Sequence, residues 1–189
     1  TYFDVLADMM NKGEDWDYYF WDGQFKIFSD LNEENRLTFS SFKGRDVLSF
    51  IFDNEEISTE FDFDWDWGNT SNSLKWRFIP SSSFLSEMVV TRSGFDFDLS
   101  FSERYRGNSY DEIEFVIGNE IKDLSIKEKV TWFASPRHTI SSGLDVKNLK
   151  MKFYLDINDV NYFKISQSPY IYSAYLQDKW IISKKLSLQ

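Results

Sequence analysis

Apolar and polar positions alternate along most of this chain, in runs longer than the usual globular strand of ~5–6 residues. The plainest run is 120–134, where Leu124, Ile126, Val130 and Trp132 share one parity and Asp123, Ser125, Lys127, Lys129 and Thr131 the other. Successive strand side chains point to opposite faces, so this pattern predicts one strand with an apolar face and a wet face. Residues 18–31 read the same way, with Tyr19, Trp21, Phe25 and Ile27 against Asp22, Gln24 and Lys26. So do residues 170–182, where Tyr170, Tyr172, Ala174, Leu176, Trp180 and Ile182 oppose Ser173, Gln177 and Lys179, with Ile171 and Tyr175 as large members of the wet parity. Further strands are predicted over 36–46, 61–79, 84–99 and 139–154. In 84–99 the apolar set in phase is Leu85, Val89, Phe95, Phe97 and Leu99; in 139–154 it is Ile140, Leu144 and Val146. Phe42 breaks the phase of Leu37 and Phe39, which predicts a bulge near Ser41. Residues 1–10 carry Phe3, Leu6, Met9 and Met10 near helical spacing and predict a short helix within a loop.

Tight polar turns begin near Asn32, Pro80, Pro136 and Ser183, and longer polar connections are expected over 47–60, 100–119 and 155–168. Alternate connections of an up-and-down antiparallel sheet lie at opposite ends, which gathers the short turns at one end and the long loops at the other. That asymmetry marks an outer-membrane barrel. Trp76, Phe78, Trp132, Phe133 and Trp180 all fall near a tight turn, as a girdle at the water–lipid boundary requires. The predicted fold is therefore all-β: an antiparallel up-and-down transmembrane β-barrel, of which this chain supplies about seven long strands. Residues 1–189 are expected to be part of one barrel domain, a piece of a longer protein. The competing reading is a soluble all-β carbohydrate-binding or adhesion module with its aromatics in a sandwich core. Glu128 stands against the barrel, because it has the lipid-facing parity of Ile126 and Val130 near mid-membrane.

Composition narrows the choice. Aromatic residues make up 19% of the chain although mean hydropathy is only −0.45, so the rings are interleaved with polar residues. The net charge of −10 disfavours nucleic acid, whose phosphates need Lys and Arg. There is no cysteine, which excludes disulfides and thiolate metal sites. No stretch is long and apolar enough for a transmembrane helix.

Candidate chemistry is sparse. Asp62, Asp64 and Asp66 with Gly68 resemble a calcium loop in outline, but Trp67 intervenes before the glycine and the spacers are aromatic, so no metal site is assigned. Trp65 and Trp67 are candidates to line a ligand vestibule, since rings with a polar handle suit such sites. Arg104, Tyr105 and Arg106 fall in a predicted long loop; Arg104 and Tyr105 are kept as candidate contacts to an anionic ligand. His138 is the only histidine, lies in a turn, and has no nucleophile marked beside it. No carboxylate pair stands out for glycoside chemistry, and no enzyme activity or cofactor is expected.

Several segments, taken in order, resemble the barrel domain of TonB-dependent outer-membrane receptors. They are TYFDVL (1–6), DYYFWDGQFKI (17–27), ENRLTFSSFKGRDVL (34–48), DWGNTSNSLKW (66–76), SPRHTISSGLDV (135–146) and SAYLQDKWIISKKLSL (173–188). The resemblance implies a barrel of ~22 strands closed around a plug. It also implies uptake, across the cell outer membrane, of a scarce ligand such as a metal chelate, vitamin or oligosaccharide. The implied partners are outer-membrane lipid, the protein's own plug domain and remaining strands, a TonB-type energy-coupling protein and the small-molecule ligand. The chain carries no plug, TonB box or C-terminal aromatic strand, so it matches the middle of that domain. A barrel with an enzymatic or structural task is the other membrane reading.

Overall fold

The computed structural model describes residues 15–54, 59–105 and 112–189. The helix expected over 1–10 lies outside them. The described residues form one antiparallel sheet of β1 (Asp15–Asp30), β2 (Asn35–Asn54), β3 (Thr59–Ser81), β4 (Phe84–Tyr105), β5 (Glu112–Ser135), β6 (His138–Ile157), β7 (Val160–Gln167), β8 (Tyr170–Ser183) and β9 (Leu186–Leu188). Each strand pairs with its neighbour in sequence, except that β7 and β8 both pair with β6. They do so end to end: Met151 faces Gln167 and Asn148 faces Tyr170, with the register continuous across the junction. β7 and β8 are thus one long strand interrupted at Pro169, which has no N–H to give the ladder. The break is bridged where Leu149 N donates to Pro169 O at 3.0 Å and Asn148 Nδ2 to Ser168 Oγ at 3.2 Å.

This corrects the connections read from the sequence. The tight turns are where expected, but the long stretches are mostly strand. β2 runs to Asn54 and β4 to Tyr105, leaving only 55–58 and 106–111 outside the described residues. The connection expected over 155–168 is a hairpin closed by Asn158 and Asp159, with φ of 48° and 61°. Positive φ at both central residues is the type I′ arrangement that matches strand twist. Asn158 N also donates to Glu114 O at 3.0 Å, tying the turn to β5. Among the described residues the asymmetry between the two ends lies in how far the strands project.

Register assigns every side chain to a face. Ile27, Phe39, Leu74, Val90, Ile126, Val146 and Tyr172 lie in one row across seven strands, all on the same side. The next row, on the opposite side, is Lys26, Ser40, Ser73, Thr91, Ser125, Lys147 and Ile171. The polar side is crossed by ion pairs from Lys127 to Asp145 (3.2 Å), Lys147 to Asp123 (3.0 Å) and Lys75 to Glu87 (2.5 Å). Among the described residues no second layer packs over the apolar side. Among the described residues there is no buried hydrophobic core, and Leu144 and Leu176 stay 61% and 78% exposed. The chain exposes 13965 Å²; a compact protein of its mass would expose roughly 9,500 Å². The sandwich reading fails on this point.

The alternation reverses partway along. Beyond Leu74, Val90, Leu124 and Val146 the first face turns polar, with Asp66, Asp98, Glu120, Lys150 and Lys152, and the opposite face turns apolar. On that opposite face Tyr18, Leu48, Trp65, Leu99, Ile117, Leu155 and Phe163 form one continuous row. Phe50, Phe63, Phe101, Phe115 and Ile157 form the next but one. Phe42 belongs to this second apolar set, and β2 keeps a regular register past Ser41, so there is no bulge there. In β4 the set read as in phase does share one side, but it is the side opposite the lower apolar band. Phe84, Met88 and Val90 share the apolar face of Ile126, whereas Leu85 and Val89 do not.

The lower apolar band has membrane dimensions. From Trp132 to Leu124 is eight residues, or about 26 Å along the strand and ~19 Å vertically at ~45° tilt, close to the ~25 Å apolar belt of outer-membrane barrels. Two of its girdle tryptophans have fixed partners: Trp76 Nε1 donates to Asn35 Oδ1 at 2.9 Å, and the Trp180 ring stacks on His138 with centroids 5.7 Å apart. Glu128 lies in this band and accepts a hydrogen bond from Ser86 Oγ at 2.5 Å.

Candidate ligand-facing surface

Strands that leave a membrane exchange lipid for water on their outer side, so polar residues there cost nothing. A row of rings on the other side must then face the space the wall encloses. β3 places Trp65 and Trp67 on that inner side, with ring centroids 4.8 Å apart and planes inclined at 46°. Leu99 and Phe97 of β4 stand directly opposite them. Asp46 lies across from Trp67 and accepts a hydrogen bond from Tyr18 Oη at 2.8 Å. Farther out, Phe50 stacks on Phe63 at 4.5 Å and Phe61 on Phe101 at 6.0 Å. The result is a broad aromatic sheet surface with few polar groups, suited to shape-based contact with a ligand.

Asp62, Asp64 and Asp66 project from the outer side of the same strand. Their Cα positions are spaced by ~6.6 Å along the strand. Asp66 is clamped by Arg45 Nε at 2.6 Å, whose Nη1 also reaches Asp96 at 2.9 Å. Burial, and then the neighbouring Asp64 carboxylate, raise the Asp62 pKa above its ordinary value.

The four sequence candidates do not form one site. Trp65 and Trp67 do come together. Tyr105 is on the inner side too, but six residues farther along in register, roughly 20 Å away. Arg104 faces outward at the end of β4, not in a loop, and pairs with Glu60 at 2.8 Å and Glu112 at 2.9 Å. Those two carboxylates take up the charge that an anionic ligand would need. Arg106 lies outside the described residues. His138 opens β6, with Nδ1 2.8 Å from Asp178 Oδ2. Sequence reasoning missed the inner rows of Phe50, Phe63, Phe101, Phe115 and Leu155. Their signal was an alternation in 47–60 and 100–119 on the parity opposite to the lipid-facing one.

A single antiparallel sheet with a lipid-height band, aromatic girdles and projecting strand ends is a segment of an outer-membrane β-barrel wall. No family model and no curated protein matches the sequence. Among solved structures the chain is similar to the ferric yersiniabactin uptake receptor FyuA from Yersinia pestis, at 11% identity and a TM-score of 0.55, over 90% of this chain and 26% of that one. It also matches the ferric citrate transporter FecA, at 9% identity and a TM-score of 0.48, over 87% of this chain and 26% of that one. The chain thus spans about a quarter of each, and what it shares with FyuA is the fold of the barrel wall.

Proposed function

We propose that this chain is part of the barrel of a TonB-dependent active transporter, and that its projecting inner surface lines the vestibule through which a scarce ligand enters. The observation that carries the reading is the aromatic inner rows on strands that continue past the lipid band, centred on Trp65 and Trp67. A structural strut would need no rings on that side. A chelate, corrinoid or oligosaccharide presents large flat or ridged faces that rings bind with little entropic cost. The remaining barrel strands, a plug and a TonB-type protein belong to the proposal as parts and partners of the complete protein; outer-membrane lipid surrounds the band.

The test uses the complete protein in an outer-membrane host, growing on ferric chelates, corrinoids or oligosaccharides as the limiting nutrient. Trp65→Ala with Trp67→Ala should reduce uptake of one of these classes by about tenfold or more at unchanged outer-membrane level, as hot-spot ring truncations do. Uptake of every class at the unsubstituted rate would refute the vestibule.

A further inference from the structure

At the upper edge of the lower apolar band, the outer face carries positive charge that, among the described residues, the protein neutralises only at Lys122, through Glu120. Lys122 of β5 stands directly opposite Lys150 of β6. Like charges directly opposed across a ladder, with Cβ atoms ~4.5–5.5 Å apart, are destabilising. Arg92 of β4 faces Leu124, which places it on the diagonal from Lys122, ~7–8 Å away. Lys122 contacts Glu120; among the described residues neither Arg92 nor Lys150 has an ion-pair partner. The three cations line one shallow cleft of about 210 Å³ together with Leu124, Asn148 and a single carboxylate residue, Asp123. Two residues below Leu124 on the same face lies the apolar row of Val90, Ile126 and Val146. All this occurs in a chain with a net charge of −10, so the cluster is not a product of general basicity.

We propose that this cleft binds the phosphate of a lipid headgroup in the outer leaflet, with the lipid's acyl chains lying on Val90, Ile126 and Val146. A phosphate is small enough to touch all three cations, and its charge removes the repulsion between the opposed lysines. The apolar row immediately below is what separates a lipid from a soluble anion: only a phosphate joined to hydrocarbon uses both surfaces. The inference rests on the outer face meeting lipid and is independent of what the protein transports.

The complete protein, purified from outer membranes in detergent, is tested by native mass spectrometry with three probes: lipid A carrying its phosphates, the same lipid with them removed, and inorganic phosphate. The unsubstituted protein should retain the phosphorylated lipid at least tenfold more than the Arg92→Ser, Lys122→Ser, Lys150→Ser variant. It should retain little of the phosphate-free lipid and not be displaced by millimolar phosphate. Lys150→Glu alone should lose most retention, and Arg92→Lys should keep it, which separates the charge requirement from misfolding. Equal retention by protein and triple variant, or equal retention of the phosphate-free lipid, would overturn the proposal; so would full displacement by inorganic phosphate, which would make the site one for a soluble anion. Loss of the protein from the membrane fraction altogether would instead refute the lipid-facing assignment.

Discussion

Leu176 and Gln177 are neighbours on β8 with opposite fates. Leu176 lies on the apolar side four residues above Trp180, ~9 Å over the girdle at ~45° tilt and near the middle of a ~25 Å belt. It is 78% exposed, so an arginine there displaces little protein and meets the surrounding medium directly. An arginine at the midplane of an outer-membrane barrel costs about 2–4 kcal/mol. At ~1.4 kcal/mol per tenfold, Leu176→Arg should shift the unfolding equilibrium about 30- to 700-fold. Gln177→Arg, one residue on, points into the polar interior beside Ser141 and should change stability by less than ~0.5 kcal/mol, as surface substitutions do. The assay is denaturant unfolding of the complete protein reconstituted in phospholipid vesicles. Equal costs for the two substitutions, or a neutral Leu176→Arg, would refute the assignment of faces.

Three further outcomes follow from individual contacts. Ser86→Ala should cost ~1–3 kcal/mol, because it strips the Glu128 carboxylate of its hydrogen bond inside the lipid band; in a Glu128→Leu background, itself more stable than the unsubstituted protein, the same change should be nearly neutral in vesicle unfolding. Tyr154 lies flat over Gly118 and Tyr175 over Gly143, each ring occupying the space a Cβ would take. Gly118→Ala should therefore cost ~1–3 kcal/mol by displacing the ring, and Tyr154→Ala should recover part of that in a double-mutant cycle. Above the membrane, burial and the hydrogen bond to Asp98 push the Tyr154 phenol up to about 12. The folded state holds this proton more tightly than the unfolded state, so the stability it contributes is complete below the unfolded value of 10.0 and is lost as pH rises towards 12. Tyr154→Phe should lack this late component in an ultraviolet phenolate titration.

The fold was legible wherever one medium touches one face over the whole run. In 120–134 lipid meets Leu124 to Trp132 and water meets Ser125 to Lys129, so parity alone assigned both faces. It was not legible where the media exchange sides. In 47–60 and 100–119 the apolar parity passes to Leu48, Phe50, Leu99, Phe101 and Ile117, and a reader following one phase sees only an acidic, unphased stretch. The same exchange made Phe42 look like a bulge. Asn158 and Asp159 carried a hairpin signal, but it was masked by the polar residues flanking it. For the candidate site, the pairing of Trp65 with Trp67 followed from their spacing on one strand. The capture of Arg104 by Glu60 and Glu112 did not, because those partners come from two other strands.

The most direct measurement places single cysteines within residues 1–189, which have none of their own. Single cysteines at Ile126, Leu144, Lys127, Asp145 and Ser100 in the complete protein, each carrying a nitroxide, report collision with oxygen or with a water-soluble nickel chelate in bilayers. The account predicts that Ile126 and Leu144 meet oxygen and exclude nickel, that Lys127 and Asp145 meet nickel, and that Ser100, on the same face as Ile126 but beyond the band, meets nickel as well. Nickel access at Ile126 and Leu144 equal to that at Lys127 would contradict it.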